Sequence, residues 1–157
     1  MRLFFAAWPP PQAAAALHEW SKALQGKATP AEKIHLTLAF LGDADPAKAA
    51  VAARAVRARR HALIFDEARY VKRNEMVWTV AREAPTQLVE SLHFNLRQAG
   101  FMLEKRPYAA HVTLLRKAPP PKALPPLPRV DWPVEEFLLV RSRASNYEPV
   151  ERFPLSE

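Results

Sequence analysis

Two histidine–threonine pairs carry the chemistry that this sequence can be expected to perform. The pattern His-x-Thr-Leu occurs first with His35 and Thr37 and again with His111 and Thr113. Successive side chains of a β-strand alternate between its two faces, so each pattern presents one imidazole and one hydroxyl on one face and two aliphatic groups on the other. We therefore predict two strands whose polar faces close on one small anionic group.

Two imidazoles are suited to phosphate ester chemistry. Because the unperturbed pKa of histidine is near 6.5, a neutral ring can accept the proton of an attacking oxygen while a charged ring protonates the leaving oxygen. Each Thr hydroxyl, about 7 Å along the strand from its His, can donate to a non-bridging phosphate oxygen. Arg116 can add positive charge there if the strand ends or bulges, since on a regular strand it would point away from His111.

Other interpretations of these residues are weaker. A single histidine on a half-buried strand is commonly a structural side chain bonded to backbone, but that role does not require Thr two residues later in both places. The chain has no Cys, no His-x-x-x-His pair and no Gly-x-Ser-x-Gly motif, which argues against a zinc site and a serine hydrolase. Trp78 and Tyr108 are candidate stacking surfaces for a nucleobase, although the core is the commoner place for a residue such as Trp78.

The composition favours a small basic protein with a polyanionic partner. The 157 residues include 23 Lys and Arg against 16 Asp and Glu, for a formal net charge of +7. Such a surface is suited to phosphate contacts, and none of the 3 Gly belongs to a phosphate-binding loop. No run of apolar residues is long enough to span a membrane, so we expect a soluble, cytoplasmic protein.

The spacing of apolar residues predicts an α+β fold. Helices are predicted at 12–25, 46–58 and 85–99 from apolar stripes and from their flanking Pro and Gly residues. Strands are predicted at 2–8, 34–41, 61–72, 76–82, 110–116, 134–143 and 150–155. Seven prolines make 119–133 a stiff, extended loop. Short late connections indicate antiparallel pairing in a sandwich of sheets and helices.

The paired motifs and their flanks resemble those of the 2H phosphoesterases, and in particular the bacterial RNA 2′,3′-cyclic phosphodiesterases (LigT-like proteins, historically called 2′-5′ RNA ligases). The similar segments are 2–6, 34–42, 77–78, 111–116, 137–138 and 147–155. The resemblance implies one domain, residues 1–157, made of two lobes related by a pseudo-twofold axis. Antiparallel sheets flanked by helices would enclose a central cleft that uses neither a metal nor another cofactor.

The resemblance also implies a reaction and roles for the site residues. A terminal 2′,3′-cyclic phosphate would be opened at the 3′ oxygen, leaving a 2′-phosphate. His35 would protonate the leaving oxygen and His111 would activate water, while Thr37, Thr113 and Arg116 hold the phosphate. RNA or oligonucleotides with cyclic phosphate ends are the expected partners of a monomer. Two alternatives stay open: 2′-5′ RNA ligation in the same site, and a module that binds RNA ends or nucleotides without turnover.

Overall fold

Two antiparallel sheets form the framework of the protein in a computed structural model that describes all 157 residues. The first sheet has the strand order β3-β1-β8-β9, and the second has the order β2-β6-β5-β4-β7. The strands are β1 (Arg2–Ala7), β2 (Lys27–Ala28), β3 (Leu36–Asp43), β4 (His61–Val71), β5 (Met76–Ala81), β6 (His111–Arg116), β7 (Val130–Val134), β8 (Glu136–Arg143) and β9 (Asn146–Pro154). The predicted α+β sandwich is therefore present.

Three helices cover the outer faces of the sheets. They are α1 (Pro11–Lys22), α2 (Pro46–Arg54) and α3 (Thr86–Gln98). The α1 helix follows β1 of the first sheet but packs on β6 and β7 of the second, whereas α3 follows β5 of the second sheet and packs on β3 of the first. This exchange ties the two lobes together. None of the helices has the length and apolar character needed to cross a membrane.

Local sequence explains where the helices form. Pro at the first helical position pre-sets the backbone angle of both α1 and α2. The side chain of Asp45 caps α2 by accepting a hydrogen bond of 3.0 Å from the Ala47 amide. The predicted inner stripe of α3 is buried, and it consists of Leu88, Val89, Leu92 and Leu96. Apolar periodicity placed α1 and α3, and the Asp45 cap with Pro46 and the following Ala-rich run placed α2, with ends shifted by a few residues.

The proline-rich segment was predicted wrongly at its C-terminal end. Residues Val130–Val134 form β7, which pairs with the beginning of β4. Val130 and Trp132 point into the core, and Trp132 is fully buried. Because β7 is an edge strand, Pro133 is tolerated there in spite of its missing N–H group. The prolines concealed an alternation of buried and exposed side chains that identifies a strand.

One apolar cluster joins the two sheets. It contains 35 buried residues and includes Phe5 and Leu139 of the first sheet together with Phe65 and Leu114 of the second. The aliphatic residues of both His-x-Thr-Leu motifs belong to this cluster. Burial of these side chains fixes which face of β3 and of β6 turns toward the space between the lobes.

Candidate active site

A cleft of about 480 Å³ lies between the two lobes, at the place where β3 and β6 face each other. Five of the seven predicted site residues line this cleft: His35, Thr37, His111, Thr113 and Arg116. Each lobe contributes one imidazole and one hydroxyl, as the alternation of strand faces predicts. The structure therefore brings the two motifs, which are far apart in the sequence, to one site.

A β-bulge in β6 turns Arg116 toward the cleft. Thr113 lies opposite Trp78 of β5, but the preceding residue of β5 is opposite Leu115, so Leu114 has no partner. One extra residue reverses the alternation of side chains beyond it. Leu114 and Leu115 are consequently both buried, and Arg116 is exposed on the same face as His111. From the sequence, Arg116 was expected to reach the phosphate site only if the strand ended or bulged before it. The bulge at Leu114 meets this condition.

The first motif also contains a β-bulge. Thr37 pairs with Ala6 and Ala39 pairs with Phe5, so Leu38 is the unpaired residue of β3. Phe40 is then 51% exposed and lines the cleft at the position that corresponds to Arg116 in the second motif. Sequence reasoning missed Phe40, although it follows His35 by the same five positions that separate Arg116 from His111.

Side chains from outside the motifs hold the bulge in β3. The Tyr108 hydroxyl donates a hydrogen bond of 2.8 Å to the Thr37 carbonyl, and Nε2 of His93 lies 2.7 Å from the Leu38 carbonyl. A bulge removes backbone carbonyls from the regular ladder, so these donors satisfy groups that would otherwise be unpaired. Tyr108 does not line the cleft. The sequence predicted Tyr108 as a stacking surface for a nucleobase. Its side chain instead lies behind the first motif and bonds to the Thr37 carbonyl.

Thr29 holds the second bulge in the same way. Its hydroxyl donates to the Thr113 carbonyl at 3.0 Å, and its amide donates to the Leu114 carbonyl at 2.9 Å. The Thr29 carbonyl in turn lies 2.9 Å from Nδ1 of His18 on α1. His18 thus anchors the loop that supports β6.

We expect Tyr108→Phe to lower the free energy of unfolding by about 1 kcal/mol, and to lower several-fold the kcat on the cyclic phosphate that the resemblance implies as substrate. The reason is that the Thr37 carbonyl loses its donor and the bulge loses its fixed geometry. Tyr70→Phe is a matched control, because the Tyr70 hydroxyl donates to the Ala118 carbonyl at 2.9 Å, outside both bulges. Equal loss of kcat in the two variants at equal stability would contradict the assignment.

Backbone hydrogen bonds orient both imidazoles alike. Nδ1 of His35 lies 2.7 Å from the Lys33 carbonyl, and Nδ1 of His111 lies 3.2 Å from the Ala109 carbonyl. A carbonyl oxygen can only accept, so Nδ1 carries the hydrogen in both rings. In each neutral ring Nε2 is therefore the atom that can accept a proton, and in each charged ring it is the atom that can give one.

Aromatic rings surround the two histidines. The His35 ring stacks on Trp8 with centroids 4.9 Å apart and has the edge of Tyr147 at 5.2 Å. The His111 ring stacks on Trp78 at 3.9 Å. Trp78 does not line the cleft, so its expected position as a surface for substrate stacking is corrected to one against His111. Trp8 and Tyr147 were missed, because no spacing in the sequence connects them with His35.

Burial in this apolar surrounding lowers the pKa of both imidazoles. For His35 the loss of hydration is the main cause, the bond to the Lys33 carbonyl opposes it, and the charge of Arg116 lowers the pKa further. For His111 burial again dominates, while the bond to the Ala109 carbonyl acts in the opposite direction and raises the pKa. Both rings therefore favour the neutral form at neutral pH, and a bound phosphate would favour protonation of one of them.

The two lowered pKa values predict a pH dependence of stability. The unfolded chain binds protons at these histidines near pH 6.5, whereas the folded chain binds them only at lower pH. The free energy of unfolding should therefore fall as the pH drops through about 6.5 and stop falling from this cause below the folded pKa values. Urea unfolding of the wild type and of His35→Gln between about pH 5 and 8 checks this expectation. His61→Gln is the matched control. If the free energy of unfolding of His35→Gln depended on pH as steeply as that of the wild type, this expectation would be contradicted.

The charges of the cleft are suited to an anion. Lys27, Lys33 and Arg116 line it together with the two histidines, and none of its 16 lining residues is Asp or Glu. Cations without neighbouring carboxylates attract a phosphate and shield the charge that develops on its oxygens. Nowhere in the chain do three His, Asp or Glu side chains come together as a group that could hold a metal ion.

Comparison with known proteins identifies the family and supports the fold. The family model of the 2′-5′ RNA ligase superfamily matches residues 9–146. The chain is 32% identical to the RNA 2′,3′-cyclic phosphodiesterase of Escherichia coli K12, over 99% of this chain and 97% of that protein. It is 33% identical to the protein of the same name from Thermus thermophilus, over 96% of this chain and 86% of that protein.

Solved structures show the same architecture. The crystal structure of E. coli LigT complexed with 3′-AMP superposes with a TM-score of 0.88 at 29% identity, covering 99% of this chain and 98% of that one. The predicted bilobal α+β fold is thereby confirmed. With the paired motifs on facing strands, and with relatives that match it from end to end, the chain belongs to the 2′-5′ RNA ligase superfamily of 2H phosphoesterases.

Proposed function

We propose that this protein is an RNA 2′,3′-cyclic phosphodiesterase that needs no metal. The observation that carries the proposal is the pair of imidazoles, His35 and His111, each with Nδ1 bonded to backbone and both in one cleft without carboxylates. The names of the E. coli and T. thermophilus relatives support the choice of substrate. The positive charge of the cleft supports it as well, because the substrate is a phosphodiester at the end of a polyanion.

In the proposed reaction the two histidines act on opposite sides of one phosphorus. Nε2 of His111 takes a proton from water, whose oxygen attacks the phosphorus. The bond between phosphorus and the 3′ oxygen breaks, and Nε2 of His35 gives its proton to that oxygen. The product is a 2′-phosphate with a free 3′ hydroxyl. The lowered pKa of His111 supports this scheme, because the base must be neutral near pH 7. Burial also lowers the pKa of His35, so the acid must gain its proton from the charge of the bound phosphate.

The remaining cleft residues hold the phosphate in this scheme. The hydroxyls of Thr37 and Thr113 donate to its non-bridging oxygens from opposite lobes. The Arg116 guanidinium stabilises the charge that builds up on those oxygens as the five-coordinate phosphorus forms. The two bulges support these roles, since they set the side chains beyond each Thr on the cleft face.

The product distinguishes this function from related ones. The protein is incubated in EDTA with an RNA that ends in a 2′,3′-cyclic phosphate, and the phosphorus NMR spectrum of the digested product identifies the monoester. We expect a 2′-phosphate. A 3′-phosphate would contradict the assigned leaving group, and loss of activity in EDTA would contradict metal independence. A binding module without turnover would leave the cyclic phosphate intact.

RNA ligation is a second candidate, and the family description favours it. A 5′ hydroxyl of a second RNA could replace water as the nucleophile. The same proton transfers, with the same bond to the 3′ oxygen broken, would then form a 2′-5′ diester. Adding an excess of RNA with a 5′ hydroxyl to the hydrolysis assay tests this. A joined product in place of the monoester would identify a ligase.

We also propose that the two lobes act as a single domain, residues 1–157, in a monomer. The core of 35 residues that both lobes share supports one cooperative unit. Light scattering should give the mass of one chain at concentrations where the enzyme is active. A dimer as the only active species would contradict this proposal.

A further inference from the structure

A second groove continues from the cleft past His35. It has a volume of about 680 Å³ and shares Lys33 and Tyr147 with the cleft. The Trp8 indole lines one part, and Leu138 and Val140 of β8 line another. The proposed reaction uses none of the residues that belong to this groove alone. We call it the Trp8 groove.

The aromatic side chains of the Trp8 groove are fixed in place. The Trp8 Nε1–H donates a hydrogen bond of 3.1 Å to the Glu32 carbonyl, and the stacked His35 ring lies 4.9 Å away. The Tyr147 ring meets Trp8 edge-on, with centroids 6.2 Å apart. Both rings are only half-buried. A rigid aromatic surface of this kind stabilises a stacked nucleobase without a large loss of side-chain entropy.

The Trp8 groove and the cleft differ in the charge of the residues that line them. The cleft has cations and no carboxylates, whereas the groove has Glu32 and Glu148 as well as Lys33 and Arg152. Mixed charge is poorly suited to a second phosphate group but provides donors and acceptors for the polar edge of a base. Arg152 donates to Glu136 from Nη1 at 2.6 Å, which leaves other N–H groups of its guanidinium available.

We propose that the Trp8 groove binds the base of the penultimate nucleotide, which is the one before the nucleotide that bears the terminal cyclic phosphate. This inference rests on the proposed function. The cleft and the groove are each within the range of about 300–1,000 Å³ that is usual for small-molecule sites, and they meet at Lys33 and Tyr147. Two adjoining sites of this size are suited to two consecutive nucleotides, with the phosphate between His35 and His111 and the preceding base against Trp8. The enzyme would then prefer a chain end over a free cyclic nucleotide.

The test compares a nucleoside 2′,3′-cyclic phosphate with a dinucleotide that ends in the same cyclic phosphate. For the wild type we expect a kcat/KM at least tenfold higher on the dinucleotide, mainly through a lower KM. Arg152→Glu puts a carboxylate at the groove, and Trp8→Leu removes the stacking surface. Each should lower the ratio of the two kcat/KM values about tenfold. Arg129→Glu makes the same change of charge in an exposed arginine outside the cleft and the groove, and should leave the ratio unchanged.

The outcomes separate this inference from the proposed function. Equal kcat/KM values for the two substrates in the wild type, or an unchanged ratio in both groove variants, would overturn the role of the groove. If the wild type turned over neither substrate, the proposed function would fail. The groove would then be tested by quenching of tryptophan fluorescence with a dinucleotide that ends in a 2′-phosphate. About tenfold weaker binding by Arg152→Glu would support it, and equal affinity would overturn it.

Discussion

Replacing either cleft histidine with alanine is expected to lower kcat/KM on an RNA ending in a 2′,3′-cyclic phosphate by about 10²- to 10⁴-fold. His35→Ala removes the proton for the leaving oxygen, and His111→Ala removes the base that activates water. Since the two groups act in one transition state, the double variant should be little worse than the more damaging single one. Single-turnover kinetics at saturating enzyme measure these losses on the chemical step.

The control for this experiment is His61→Ala. His61 is on β4, outside the cleft, so its replacement removes an imidazole without touching the proposed reaction. Thermal unfolding of all variants shows whether a loss of activity comes from a loss of structure. Activity within tenfold of the wild type in a folded His35→Ala or His111→Ala variant would contradict two-histidine catalysis.

Arg116→Ala should have the next largest effect, a loss of about 10²-fold in kcat/KM. Its guanidinium is the charged group that the bulge at Leu114 places on the phosphate side of β6. Removing one donor from a developing oxyanion typically costs about 10²- to 10³-fold in rate. Arg116→Lys should recover part of the loss, because an ammonium group keeps the charge but cannot make two parallel hydrogen bonds.

Arg129→Ala is the matched control for Arg116. It removes an exposed guanidinium that pairs with Asp131 at 3.0 Å and lies outside the cleft, so it lowers the net charge equally. We expect it to leave kcat/KM close to that of the wild type at physiological salt. Equal losses in Arg116→Ala and Arg129→Ala would mean that only the overall charge of the protein attracts the substrate.

Much of the framework follows from local patterns in the sequence. Apolar side chains on one face of a helix were sufficient to place α1 and α3, and an N-cap followed by Pro and an Ala-rich run placed α2. Period-two alternation placed the strands that carry His35 and His111. The resemblance to the 2H phosphoesterases supplied the bilobal arrangement. Local patterns were insufficient for β7, where prolines on an edge strand concealed the alternation that buries Trp132.

The side chains that support the site were not predictable in this way. Tyr108 and Trp78 were predicted as candidate stacking surfaces for a nucleobase, but the sequence did not show on which side of the strands they lie. Tyr108 donates to the Thr37 carbonyl, and Trp78 packs on His111. Thr29 and Trp8 reach the two motifs from other elements of the fold.

The two His-x-Thr pairs follow from local sequence, because the alternation of a strand places His and Thr two residues apart on the same face wherever that strand lies. What lies beyond each Thr depends on how the strands pair. Pairing with β1 and β5 leaves Leu38 and Leu114 unpaired, and each bulge shifts the alternation by one residue. The direction of Arg116 is therefore set by strand register, which depends on contacts between distant segments and cannot be read from local spacing.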